Sequence, residues 1–336
     1  MSILKEMIQQ SAESRPAFVP TMTKDEYKAL KKDEYATMWE TINQQAETVL
    51  SSGVELYRFL QAQARNPRMS ANNVLYLQTQ RDDFSMLKTF DQWKDIERSV
   101  RKNEKSLRVI VGEEYQREDG KENKFFTTKP FFDVSQTEGR PVYSEKPLAF
   151  DQSKMLAAMI HAAHDKGIEI IPDNEVPPEI CGTFQEGAIH IRDDMELRDY
   201  IFGLALGSIA AERDRRDFSK SSSVEICSTI VFCEAAGMPI RYDANIEMLL
   251  ESVVMDAQNR EDDKFKRNLL VYSQKSAKTF YEQVDYALRQ DRATERQQEA
   301  PAQEARSTPA PEQGAPESAQ PAEWKKASRQ NEEPER

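Results

Sequence analysis

The chain has 336 residues and a net charge of −12, with 31% charged and 38% hydrophobic residues, 16 Pro, 11 Gly, 3 Cys and 3 His. No apolar run nears the ~18 residues of a membrane span, and the opening MSILKEMIQQ lacks the apolar core of a secretory signal. Three cysteines cannot form a fully paired framework, and three histidines exclude a His-rich metal site.

The expectation is therefore a cytoplasmic protein of about two domains, with no membrane partner and no cofactor. Its charge is uneven. Residues 1–150 balance 23 basic against 23 acidic residues, so 151–336 carry the whole −12. Within 54–111, 11 basic residues stand against 7 acidic ones. A polyanion responds to the local field more than to the total, so the first half remains eligible for nucleic acid.

In chain order, residues 1–20 read as a flexible N-terminus. The next region, 21–148, opens with a helix from Lys24 to Leu50 that ends near Ser51-Ser52-Gly53. A second helix places Leu56, Phe59 and Leu60 on one face, and Asn66-Pro67 breaks it. Ser70 stands as an N-cap before a helix over Asn72–Gln80. Phe90-Asp91-Gln92-Trp93 opens another, to about Val100. Ser106–Tyr115 alternates Leu107, Val109 and Val111, turns through Asp119-Gly120, and returns as Lys124–Val134, which predicts a hairpin.

The region 149–290 reads as mostly helical. Helices are predicted over Ser153–His164, Leu197–Glu212, Val224–Ala236 and Asp263–Leu288, with Ile246, Leu249, Leu250, Val253 and Val254 forming a further apolar stripe. Two short strands, Glu169–Ile171 and Ala188–Arg192, flank a Pro-containing loop. The fold class is α+β: helices and an antiparallel hairpin first, a helical region second. Residues 291–336, rich in Glu, Gln, Ala and Pro with Trp324 as the one large apolar residue, predict a disordered tail.

The segment Lys94–Arg108 holds six basic residues against three acidic ones and leads into a strand pair carrying Phe125, Phe126, Phe131 and Phe132. Cations beside aromatic rings suit single strands, because the cations track phosphates while the rings stack on unpaired bases. A solvated turn beside core phenylalanines is the alternative that composition alone favours.

The order of motifs tips that balance. Ser70-x-x-Asn73, Gln80, Trp93, ERSVRKNEK at 97–105 and FFDVSQTEGRP at 131–141 together resemble the N-terminal domain of the ArdC-like antirestriction family. The resemblance spans about 54–143 and implies sequence-nonspecific binding of single-stranded DNA in a bacterial conjugative or mobile element. On that resemblance Arg98, Arg101, Lys102 and Lys105 would contact phosphates. Asn73, Gln80 and Gln136 carry amides that either bond base edges or hold the loop together. Trp93 and Phe132 either stack on bases or anchor the core, while Ser135 and Thr137 cap the strand end. Two of the family's glycines are Glu97 and Asn103 here. Asn tolerates the left-handed turn a glycine would make, whereas Glu97 sets a negative charge beside Arg98.

The second region resembles the zincin-like metallopeptidase domain that accompanies this family. Its H-E-x-x-H motif would fall on Gly203-Leu204-Ala205-Leu206-Gly207, so both histidines and the catalytic Glu are missing, and only Glu225 stands where a third ligand is expected. His161 and His164 read as a surface pair and His190 as a structural strand residue. The expectation is a non-enzymatic protein with no metal site and no catalytic residues. Its partners are single-stranded DNA and, beyond it, conjugation or restriction-system proteins. The rival reading, which the −12 favours, is an acidic interaction protein or DNA mimic that binds no nucleic acid.

Overall fold

Helix signals in the first region lie where polar caps meet apolar stripes. The computed structural model describes residues 23–116, 122–142, 151–216, 221–260 and 263–307. α1 (Lys24–Val49) starts at a capping box in which Glu26 N–H donates to Thr23 Oγ1 and Thr23 N–H donates to Glu26 Oε2. Its N-terminal half is solvated, and its C-terminal half buries Met38, Ile42, Ala46 and Val49. Ser52 caps α2 (Gly53–Arg65), and Ser70 caps α3 (Ala71–Gln78), whose Val74, Leu75 and Leu77 are buried. Thr89 caps α4 (Phe90–Asp95).

The helix expected to reach Val100 stops at Asp95, because Glu97 adopts a left-handed φ of 60°. The following residues Arg98–Val100 form a strand, β2. Two further strands, β1 (Leu87–Lys88) and β5 (Thr137–Gly139), are too short to carry a period-2 signal.

The expected hairpin forms between β3 (Leu107–Gln116) and β4 (Glu122–Asp133), in register from Leu107↔Phe131 to Gln116↔Glu122. Its turn at Asp119-Gly120 lies outside the described residues. β1 adds to β4 in the order β1-β4-β3, and β2 pairs with β5 as a separate antiparallel ribbon.

The second region holds α5 (Gln152–His164), α6 (Leu197–Arg216), α7 (Ser222–Ala235) and α8 (Ala244–Gln258) around a small mixed sheet. In that sheet β6 (Glu169–Pro172) runs parallel to β8 (Ala188–Ile191), and β7 (Gly182–Gln185) pairs with β8 antiparallel. β7 arises inside the loop read as connecting two strands. The last helix, α9 (Asp263–Ser307), continues well past the Leu288 expected. Ala, Gln, Glu and Arg form helix readily and make up most of 292–307, a stretch expected to be disordered, although Pro301 also lies within it. Residues 308–336 with Trp324, and the flexible segment expected at 1–20, lie outside the described residues.

Two units are separable, Met1–Asp291 and Arg292–Arg336. Within the first, the two regions read from sequence share one core. α2 packs on α7 and α8, Gly53 N–H donates to Glu251 Oε1 at 2.7 Å, and Gln274 Nε2 donates to Pro67 O at 3.2 Å. Tyr57 O–H reaches Ile240 O and Glu234 Oε1, and burial pushes its phenol up to about 12. No described helix is long and apolar enough to cross a membrane.

Candidate nucleic-acid interface

The edge of β3 that lacks a strand neighbour is closed by two side-chain amides from α3 and its C-terminal turn. Asn73 Oδ1 accepts from Ile110 N–H at 2.7 Å while its Nδ2 donates to Ile110 O at 2.9 Å. Gln80 repeats the pattern two residues along: Oε1 accepts from Arg108 N–H at 2.7 Å, and Nε2 donates to Arg108 O at 3.1 Å. Each amide replaces one residue of a missing strand, which satisfies the exposed ladder and fixes where Arg108 stands.

The FFDVSQT stretch folds onto itself in the same manner. Asp133 is fully buried at the end of β4. Its Oδ2 accepts from Ser85 N–H at 2.7 Å, and its Oδ1 accepts from Ser135 N–H at 2.9 Å. A short 3-10 turn, Val134–Gln136, then carries Gln136 inward, where Oε1 accepts from Asp133 N–H at 2.8 Å and Nε2 donates to Lys105 O at 2.7 Å. Arg101 N–H donates to Gln136 O at 3.0 Å. Gln136 thus pins both ends of the basic turn 101–105, whose centre, Asn103, takes a φ of 68°.

On that turn Arg101 forms a 2.8 Å ion pair with Glu104 and also donates to Ser135 O. The Arg101 bond, followed by that from Gln136, holds the Glu104 carboxyl below its ordinary value. Lys102 and Lys105 are exposed and have no ion-pair partner among the described residues.

Trp93 lies on α4, fully buried, and its Nε1–H donates to Phe132 O at 2.8 Å. The Arg98 guanidinium sits 5.8 Å from the Trp93 ring centroid. It donates from Nε to Thr137 Oγ1 at 2.8 Å and from its terminal nitrogens to Thr137 O at 3.0 Å and Arg140 O. Arg98 therefore laces β2 to β5 and has little donor capacity left for a phosphate.

These contacts sort the residues singled out from sequence. Lys102 and Lys105 are presented to solvent, as a phosphate-contacting role requires, and Arg101 is exposed but already paired. Phe132 is half-buried. Asn73, Gln80 and Gln136 spend their amides on backbone groups, which is the loop-holding alternative of their reading, Trp93 is buried as a core anchor would be, and Arg98 is engaged with Thr137 and Arg140 O. Thr137 accepts from Arg98 and donates to Val134 O, a capping role in keeping with its reading. Asp133 is a structural residue that sequence reasoning missed. Its only signal is its position two residues before a Ser in a turn.

In the second region, α6 lies directly on the sheet. A Cβ on Gly203 would stand 2.7 Å from the Cys181 carbonyl carbon, and one on Gly207 would stand 2.5 Å from Ile189 Cγ2. Neither position has room for a larger side chain, and these are the two where the sequence reading expected a peptidase's histidines to fall. Glu225 forms a 2.7 Å pair with Arg213. Burial raises the Glu225 carboxyl and lowers the Arg213 guanidinium, each offset by the other's charge. Burial also pushes the thiols of Cys181, Cys227 and Cys233 up to about 12, which keeps them unreactive. His161 is exposed beside Asp291 at 3.2 Å, and His190 meets Asp173 at 3.0 Å. Among the described residues no group of three or more His, Cys, Asp or Glu could hold a metal ion.

Residues 32–152 match the family model of the N-terminal domain of anti-restriction factor ArdC. Two solved structures are similar, both of the antirestriction ArdC protein from the R388 plasmid. The metal-free one is 20% identical, covers 64% of this chain and 85% of its own, and has a TM-score of 0.44. The Mn(II)-bound one is 18% identical, covers 66% and 84%, and has a TM-score of 0.42. No curated protein sequence matches the chain. The matched segment contains the capped helices, the hairpin, the buried Asp133 turn and the basic turn. Residues 32–152 are thus similar to the N-terminal domain of anti-restriction factor ArdC.

Proposed function

We propose that this chain binds single-stranded DNA without reading its sequence, in an antirestriction or strand-protecting role for a bacterial mobile element, and that it has no peptidase activity. The observation that carries this reading is the turn 101–105. It is pinned at both ends by Gln136 and presents Lys102 and Lys105 to solvent with no ion-pair partner among the described residues. Cations on a rigid backbone bind phosphates without ordering a flexible loop first, and such contacts position a strand without specifying bases. The match to an anti-restriction factor's N-terminal domain supports the role. The steric closure at Gly203 and Gly207 supports the loss of peptidase chemistry. The setting is cytoplasmic on this reading.

A second reading has its own observation. The net charge of −12, all of it in 151–336, suits an acidic surface that binds a protein partner or imitates DNA.

Fluorescence-anisotropy titration of the full chain with single- and double-stranded oligonucleotides at two salt concentrations separates the two readings. Preference for the single strand is expected. The double variant Lys102→Ala with Lys105→Ala is expected to lower the salt slope by about 1.4, from ~0.7 per lost phosphate contact. Absence of binding at low salt would remove DNA as the ligand and leave the acidic reading. Metal analysis finding stoichiometric zinc would overturn the non-peptidase part.

A further inference from the structure

A cleft of about 1150 Å³ separates the solvated half of α1 from the β3–β4 hairpin. Its α1 wall carries Tyr35, 42% exposed, and its hairpin wall carries Phe126, 52% exposed. Tyr76 and Arg108 also line the space. Small-molecule sites run to roughly 1,000 Å³, so this opening is at the size of a short polymer segment. Large rings left exposed on opposite walls are unusual for core-forming residues, and they offer π-faces to whatever enters.

We infer that this cleft is a base-stacking groove that receives unpaired bases of a single strand whose phosphates lie on the Lys102–Lys105 turn. The inference deepens the proposed function and rests on it. Lys105 and Arg108 are three residues apart, at most about 10 Å along an extended chain, which is within the reach of one or two nucleotides. Arg108 marks the junction. Its backbone is clamped by Gln80, and its guanidinium donates to Thr128 O at 3.3 Å within the cleft lining. The α1 wall contributes Lys31 and Lys32 against Asp33 and Glu34, with Lys31 paired to Glu34 at 2.7 Å. That wall is therefore nearly neutral, and Arg108 supplies the net positive charge. The balance suits bases, with the phosphates held chiefly at the turn. Thr127 and Thr128 add hydroxyls on the hairpin side. The amides of Asn73 and Gln80 then have a shared purpose, since they hold β3 where Arg108 and the hairpin wall face Tyr35.

The test uses the full chain, a labelled oligo-dT strand, and the variants Tyr35→Ala, Phe126→Ala and Tyr35→Phe. Both rings are exposed, so the alanine variants keep the fold. Each Ala variant is expected to weaken binding on the order of tenfold, in line with ~1–3 kcal/mol per stacked base. The salt slope stays at the wild-type value, since no phosphate contact is lost. Tyr35→Phe retains the ring and binds as wild type. An abasic strand of equal length binds more weakly to the wild type, and the Ala variants weaken it no further. Unchanged affinity in both Ala variants, while Lys102→Ala with Lys105→Ala abolishes binding, would overturn the groove and leave the turn reading intact. A fall in Tyr35→Phe equal to that in Tyr35→Ala would also overturn the groove. Failure of the wild type to bind any strand would overturn both.

Discussion

The Lys102–Lys105 turn and the α6–β7 contact are built in opposite ways. At the turn, most motif residues are retained and have become invisible to a ligand. Trp93, Gln136 and Asp133 are buried, and their work is to hold two lysines outward. At α6, Gly203 packs against the Cys181 backbone and Gly207 against the Ile189 side chain, so neither position has room for a larger residue. A motif can thus survive as scaffold without touching ligand. At α6, close packing itself decides which residues fit.

That contrast breaks most sharply at Trp93. Trp93→Ala deletes a fully buried ring and a 2.8 Å bond to Phe132 O, and is expected to lower stability by about 3–5 kcal/mol. Lys102→Ala, a few residues away on the surface, is expected to stay within about 0.5 kcal/mol of wild type. Urea unfolding of both variants checks the pair. Equal stabilities would mean that Trp93 does not anchor the end of β4.

In the other region, Gly203→Ala forces a methyl group against the Cys181 carbonyl, and neither backbone can give way easily. The expected loss is about 3 kcal/mol, the upper end of overpacking, read as a fall in the thermal midpoint followed by circular dichroism. Gly203→His with Gly207→His is expected to fold worse still and to bind no zinc. Stoichiometric zinc in that double variant would show a latent site.

Alkali separates the regions by a third route. All three cysteines lie in 151–336, and burial lifts each thiol from an ordinary 9.0 to about 12. A raised folded value means the contribution is fully present below pH 9 and is lost as pH rises from 9 toward 12. Between pH 8 and pH 10 each buried thiol is expected to withdraw about 1.4 kcal/mol. Replacing Cys227 by Ala is expected to flatten that slope in proportion, as measured by urea unfolding at both pH values.

The helix of Ala71–Gln78 was legible because Ser70 sits just before an apolar stripe, and the hairpin because Leu107, Val109 and Val111 alternate, whereas Ser52 read as the end of one helix and caps the next. β2 was not, since a glutamate gives no hint of left-handed backbone and the apolar pattern around Trp93 reads as a longer helix. The amides of Asn73 and Gln80 were visible as important, with base-bonding and loop-holding roles both open. An amide's partner is chosen by tertiary placement, here the unpaired edge of β3. Tyr35 carried no local signal at all, because the wall it faces is 91 residues along the chain at Phe126. The tail's Ala, Gln and Glu content suits both disorder and helix, and composition cannot choose between them.

The smallest expected effect tests the substitution that sets this turn apart from the pattern it resembles. Glu97 holds a φ of 60°, and the neighbouring Gly139 packs against it so closely that a Cβ there would lie 2.5 Å from Glu97 O. Left-handed backbone costs a non-glycine residue about 1–2 kcal/mol. Glu97→Gly relieves that, gives back about 0.5–1 kcal/mol through the freer unfolded chain, and loses an exposed 3.6 Å pair with Arg140 that stabilises little. The net expectation is a gain of up to about 1 kcal/mol by urea unfolding. The same change frees Arg140 and removes a negative charge beside the basic turn, so single-strand binding should tighten at low salt and converge on wild type at high salt. Tighter binding without added stability would mean that the charge matters and the backbone strain does not. Added stability without tighter binding would place the strand's path away from the ribbon of β2 and β5.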